Sequence, residues 1–237
     1  MIKSHANQAA TLPRAYHSWN GLRLVLPALE PATKKEIQIL RKLWHVGMMS
    51  TVTFLYAFIL SQKTALILIA AVGGPMVLFD FLRLKWKRLN RASVKLWGPL
   101  MRKQEFGSLS GMAYFITALF LIVLCFPKPV AILSILCLAI GDPAACIVGI
   151  KYGHDILIKG KSLQGAVACF IACSLTNFVI LSLYGLSSEY VLFVSVVVGM
   201  AATMAEVLSA KTLDDNFIMP ITTALTLYPL LKVFSTF

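Results

Sequence analysis

The sequence is poor in charge and poorest in negative charge. Charged residues fill 14% of 237 positions, with 10 Asp plus Glu against 22 Lys plus Arg, a formal +12. Soluble domains are nearer a quarter charged. With 58% hydrophobic residues and a mean hydropathy of +0.79, the chain is not a disordered one, and an ordinary soluble enzyme is disfavoured. A basic soluble protein can be a nucleic-acid binder, but long uncharged runs argue against that partner. Paired cysteine motifs are missing too. Cys125, Cys137, Cys146, Cys169 and Cys173 form no CxxC and fall in or beside apolar segments, where they read as small core residues rather than metal ligands or disulfides. There is no internal repeat or low-complexity segment. Residues 1–35 lack a long apolar run, so no cleavable signal peptide is expected.

What is present is a series of stretches suited to a bilayer, whose core of about 30 Å takes roughly 20 mostly apolar helical residues to cross. Uncharged runs cover 46–62, 64–79, 106–127, 162–188, 190–205 and 216–231. Between the third and fourth of these, 129–141 runs into Asp142-Pro143 and then 144–150, which reads as an interrupted helix. The expectation is an all-α polytopic membrane protein with seven segments, the fourth broken at Gly141-Asp142-Pro143. Residues 1–35 form a cytoplasmic tail and 36–237 a single membrane-embedded domain. Seven crossings with the N-terminus inside place every Lys and Arg but Lys63, Lys128 and Lys232 on the cytoplasmic side, as the positive-inside rule asks. Leu22–Leu29 is too short to span. The stretch Phe81–Met101, with Trp86 and Trp97 among basic residues, reads equally as an interfacial helix or a solvated loop.

Charge at the ends of membrane helices is costly and marks function by default. Four clusters stand out. In the first, Arg41 and His45 share a helix face, and Arg41-Lys42 suits phosphates or a plain positive-inside anchor. In the second, Gly141-Asp142-Pro143 has the grammar of a capped helix start. Asp142 inside an apolar run also suits Mg²⁺ on substrate phosphates. After it Ala145, Gly149 and Gly153 recur every four residues, admitting another backbone or a nucleotide. The third is Lys159-Gly160-Lys161-Ser162. It is no P-loop, because Asp155 stands where that motif needs Gly. Ser162 reads as a helix N-cap and Lys161 as a phosphate contact. The fourth joins Glu206 with Asp214-Asp215-Asn216 and Pro220. One of these residues caps a helix, and paired carboxylates facing basic residues suit a divalent metal with a polyphosphate. Asp80 with Arg83, and Arg102 with Glu105, are i,i+3 pairs that read as helix-surface ion pairs.

The order of these motifs, from Glu36…Arg41-Lys42…His45 through Asp80…Arg83, Arg102…Glu105…Gly111, Gly141-Asp142…Gly149…Gly153, Lys161-Ser162…Gly165 to Glu206…Asp215-Asn216…Pro220, resembles the CTP-dependent lipid-alcohol kinases. These are dolichol kinase, phytol kinase and the CTP-type diacylglycerol kinase, relatives of the phosphatidate cytidylyltransferases. The resemblance spans 36–220 and implies phosphoryl transfer from CTP to the hydroxyl of a membrane lipid. It carries functional importance onto Arg41, Lys42, Asp142 and Gly149. The extra leading membrane segments usual in dolichol kinases are not seen, which fits a diacylglycerol- or phytol-type enzyme better than dolichol kinase, and the acceptor is expected to be diacylglycerol, phytol or a polyprenol. On this resemblance Asp142 and Asp215 hold Mg²⁺ on CTP. Arg41, Lys42 and Lys161 neutralise the phosphates, with His45 and Ser162 beside them. Gly149 and Gly153 make room, and Glu206 or Asp214 takes the lipid hydroxyl's proton. The alternatives are a CTP:phosphatidate cytidylyltransferase and a small transporter. The expected setting is a bacterial inner membrane with a cytoplasmic active site.

Overall fold

In the computed structural model the described residues are 34–97, 101, 103–158, 160–185, 188–209 and 214–234. Expectations for Leu22–Leu29, Arg102, Lys159 and all but the last two residues of the tail lie outside them. Helices dominate because lipid offers the backbone no partners, so each crossing segment must satisfy its own. Helix α1 (Lys34–Phe54) ends in a wider turn at Leu55–Ile59. After Leu60 and Ser61, α2 (Gln62–Leu68) continues through another such turn into α3 (Gly74–Lys85) as one helix. Then come α4 (Lys87–Trp97), a short turn at Lys103–Phe106, α5 (Gly111–Cys125) and α6 (Lys128–Tyr152). A small antiparallel hairpin, β1 (Ile156–Ile158) with β2 (Lys161–Ser162), leads to α7 (Leu163–Leu183), α8 (Ser188–Leu208) and α9 (Asp215–Phe234).

The caps follow the sequence. Ser61, Ser110 and Ser162 each accept the backbone N–H three residues on, stopping α2, α5 and α7 from unravelling backwards. Among the described residues five helices are long and apolar enough to cross a membrane: Gln62–Lys85, Lys128–Tyr152, Leu163–Leu183, Glu189–Leu208 and Asp215–Phe234. Gly111–Cys125 is apolar but shorter. Helix α6 is the central post. It packs against α1, α5, α7, α8 and α9, and Ala131, Leu133, Ile135, Leu138 and Ala139 are fully enclosed. The outer faces of the other helices are apolar and exposed, as at Phe58, Ile67, Leu175 and Val233, which is the surface a lipid solvent requires.

The break expected at Gly141-Asp142-Pro143 does not occur. Helix α6 runs through all three residues, with Pro143 inside it and no cap at Asp142. Proline forfeits one hydrogen bond, the one to the Ala139 carbonyl, whereas ending a helix in lipid would strand several groups. Gly141 serves packing instead: a Cβ there would lie 2.5 Å from Cys173 Sγ and 2.7 Å from Met219 Cε. The basic stretch after α3 does form a helix, α4. Its Lys87, Arg88, Arg91 and Lys95 are exposed, while Ser93 is buried. At the far end of α6, Lys128 donates to the Leu60 carbonyl (3.1 Å) and Gln62 to that of Val123 (2.7 Å), which pins the break between α1 and α2.

Candidate active site

Five charged side chains from five elements meet at one end of the bundle. Lys42 comes from the first turns of α1 and Asp142 from the second half of α6. Lys161 comes from β2, Glu206 from the last turn of α8, and Asp215 starts α9. All five line one cavity of about 260 Å³, together with Ala145, Cys146, Gly149, Gly160, Ser162 and Gly165. Lys42 and Asp142 form a buried ion pair. The Lys161 ammonium donates to the Glu206 carboxylate (2.5 Å), to the carbonyl of the same residue (2.5 Å) and to the Ser209 hydroxyl (3.2 Å). Asp215 lies 3.9 Å from Lys161. Taking these charges out of water is tolerable only because each meets an opposite one.

The small-residue stripe answers the choice between a backbone and a nucleotide. Ala145, Gly149 and Gly153 receive the start of α7. A Cβ on Gly153 would meet Ser162 Oγ at 2.6 Å, and one on Gly165 would meet the Ala145 carbonyl oxygen at 2.7 Å. Gly149 also faces the cavity, whereas Gly153 is behind it. The stripe thus joins α6 to α7 and forms the cavity's back wall.

Asp214 belongs elsewhere. Its carboxylate accepts the Asn216 N–H (3.0 Å) and side-chain amide (2.6 Å), making it the N-cap of α9 and leaving Asp215 to face the cavity. Arg41 and His45 are half-buried on α1 and are not among the residues that line the cavity.

A second polar cluster gathers residues that the sequence reads as plain helix-surface ion pairs. Arg83 is not on a helix surface: it is 1% exposed. It donates to Asp80 (2.5 Å), to the Asn90 side chain (2.9 Å) and to the Glu105 and Ser108 carbonyls (3.0 and 2.9 Å). Asp80 accepts the Ser110 N–H (2.7 Å) and Glu105 the Gly111 N–H (3.1 Å). The one available signal was a charged pair closing an apolar run. Two of its four partners are backbone carbonyls more than twenty residues away, and these leave no trace in sequence.

The three cavity carboxylates are hard oxygen donors of the kind Mg²⁺ takes. Among the described residues no three His, Cys, Asp or Glu side chains converge on one metal-sized point.

The fold and cavity define a polytopic membrane protein with a charged, phosphate-suited site at one end of its helices. The chain is 27% identical over 221 residues to the CTP-dependent diacylglycerol kinase 1 of Saccharomyces cerevisiae, covering 85% of this chain and 76% of that protein. It is 26% identical over 196 residues to an uncharacterized protein of Rickettsia prowazekii, covering 80% and 93% of the two chains. It is 34% identical over 128 residues to a probable chloroplastic phytol kinase of Triticum aestivum, covering 49% and 43%. No family model and no solved structure matches. The chain is thus similar to proteins named as CTP-dependent lipid kinases.

Proposed function

We propose that the protein transfers the γ-phosphoryl group of CTP to the hydroxyl of a membrane lipid alcohol: diacylglycerol, phytol or a polyprenol. The observation that carries this reading is the cavity, where two lysines and three carboxylates meet beside a glycine-lined wall at the ends of membrane helices. The names of the yeast and wheat relatives support both the nucleotide and the acceptor class.

Phosphoryl transfer asks a protein mainly for positioning and charge stabilisation. Lys42 and Lys161 bind the phosphates, exchanging carboxylate partners for phosphate oxygens. The lipid oxygen forms its bond to the γ-phosphorus as the bridging bond to CDP breaks, and Glu206, beside Lys161, takes the hydroxyl proton. Asp142 and Asp215 are the residues that would hold Mg²⁺, which supplies charge neutralisation on the phosphates. Arg41 and His45, on the same helix as Lys42, act by holding that lysine in place.

Seven crossings with the N-terminus and cavity on the cytoplasmic side form the topology we propose. The clustering of Lys and Arg in loops at the cavity's end supports it. The amphipathic α4 would then rest on the headgroups. A bacterial inner membrane is the proposed setting, supported by the match over nearly the whole of a bacterial protein.

Purified protein in detergent with Mg²⁺ and CTP labelled at the α or γ phosphate decides the matter. Label from the γ position on diacylglycerol, phytol or a polyprenol is the expected result. Label from the α position on phosphatidate would make it a cytidylyltransferase instead. Failure to transfer or bind CTP would return attention to a transporter.

A further inference from the structure

The hairpin between α6 and α7 has the wrong surface for water. Neighbouring side chains on a strand point to opposite faces, so a solvated hairpin carries polar residues on at least one. Here Ile156, Leu157 and Ile158 follow one another and are 63%, 45% and 42% exposed. Both faces of β1 are therefore apolar and outward. The surface continues onto the membrane helices on either side, through exposed Tyr152 of α6 and exposed Leu163 and Val167 of α7.

This hairpin is held firmly at its base. The Gln164 side chain accepts the N–H groups of His154 and Asp155 (3.2 and 3.3 Å) and donates to the Asp155 carboxylate (2.7 Å). The Leu163 N–H donates to the Asp155 carbonyl (2.8 Å). Gly160, at φ +82°, makes the turn in a conformation that glycine adopts without strain. On its inner side the same hairpin lines the cavity with Ile156, Gly160 and Lys161. One small element thus offers an ammonium and the Ile156 side chain to the cavity, and the exposed Leu157 and Ile158 side chains to its surroundings.

We propose that β1 is sunk in the membrane interface and is the apolar seat for the hydrocarbon chain of the acceptor lipid. It determines which chain lengths reach the cavity. The match is chemical: an amphipathic acceptor has a polar hydroxyl and an apolar tail, and the hairpin has a polar inner edge and an apolar outer one. Continuity with the exposed apolar face of α7, through Leu163 and Val167, commits the occupant to membrane lipid. The seat's role in acceptor choice rests on the lipid-kinase reading, whereas its depth in the membrane does not.

Two measurements test it. The first places a nitroxide at Leu157→Cys in a Cys125→Ser, Cys146→Ala background, in vesicles of phosphatidylcholine and phosphatidylglycerol. Collisions with oxygen exceeding those with a water-soluble nickel chelate are the expected result. A label as open to the chelate as a solvated loop overturns the proposal, whatever the protein's activity. The second compares the parent with Leu157→Ser, Ile158→Ser, checked for monodispersity. The KM for a long-chain acceptor should rise about tenfold or more, as loss of two aliphatic side chains that the acceptor's chain would cover implies. The KM for CTP and turnover of an eight-carbon acceptor should hold steady. An equal rise for short and long acceptors, or a rise for CTP instead, overturns the seat. If the parent itself phosphorylates no alcohol, the kinase reading and the acceptor role fall together, and the nitroxide still decides whether the hairpin is inserted.

Discussion

Around Arg83 the guanidinium is spent on the chain itself: one carboxylate, one side-chain amide and two backbone carbonyls from the loop before α5. Around Lys161 and Lys42 the partners are chiefly carboxylates that face a cavity. Both clusters lie at the same end of the helices, and both hold charge away from water. They differ in what a substitution would leave behind. An arginine fork that stitches several backbone groups together builds structure. A lysine matched to a carboxylate across a cavity can change partners when a ligand arrives.

The strongest way to break this contrast is at Asp142. Asp142→Asn is expected to lower turnover by about a hundredfold or more, and to destabilise because it leaves Lys42 buried and uncompensated. The double variant Lys42→Met, Asp142→Leu separates the two effects. It should recover the denaturation midpoint and stay inactive, since apolar pairs of similar volume often replace buried ion pairs without loss. A double variant that still phosphorylates lipid would remove the cavity from the chemistry.

Arg83→Ala should do the reverse. It is expected to cost about 3–5 kcal/mol, as breaking a buried pair does, seen as a lower midpoint with turnover per folded molecule retained. A normal midpoint with lost activity would place Arg83 in the reaction and dissolve the distinction. Gly153→Ala tests the back wall. Its Cβ would press on the Gly149 carbonyl oxygen and on Ser162 Oγ and Cβ (2.6 and 2.8 Å), and overpacking costs about 1–3 kcal/mol or more.

The smallest effect concerns pH. Hydrogen bonds from Gln164 and His154 hold the Asp155 carboxyl below its ordinary value of 3.8. A carboxylate lowered in the folded state contributes order that is present above the ordinary value and lost as pH falls through the lowered one. Amide exchange at His154 and Asp155 should therefore stay slow down to the usual carboxylate range. Gln164→Ala should speed it at every pH. Exchange indifferent to Gln164 would show that the clamp does not hold the hairpin.

The helices were readable because a bilayer imposes long uncharged runs. The cavity's positions were readable because Lys42, Asp142, Lys161, Glu206 and Asp215 interrupt or border such runs. What local grammar could not convey was tertiary. Gly-Asp-Pro spells a helix start, but the close packing of Cys173 and Met219 on Gly141 belongs to a continuous helix. Asp214 and Asp215 are adjacent and chemically alike. Only the start of α9 decides that the first caps and the second faces the cavity. Asp80 and Arg83 have the spacing of a surface pair, and the loop that encloses them arrives later in the chain.

The cavity's lining sums to two ammoniums against three carboxylates, formally one negative charge. A polyanion arriving alone meets a wall of its own sign. A divalent cation arriving alone draws carboxylates away from lysines and leaves positive charge exposed to itself. Together, phosphates would take the lysines and the cation would take the carboxylates, so that each offsets charge that would repel the other. Each then raises the affinity of the other, and thermodynamic linkage makes the two factors equal. A nucleotide affinity measured without divalent cation, or a cation affinity measured without nucleotide, would understate the site by that same factor.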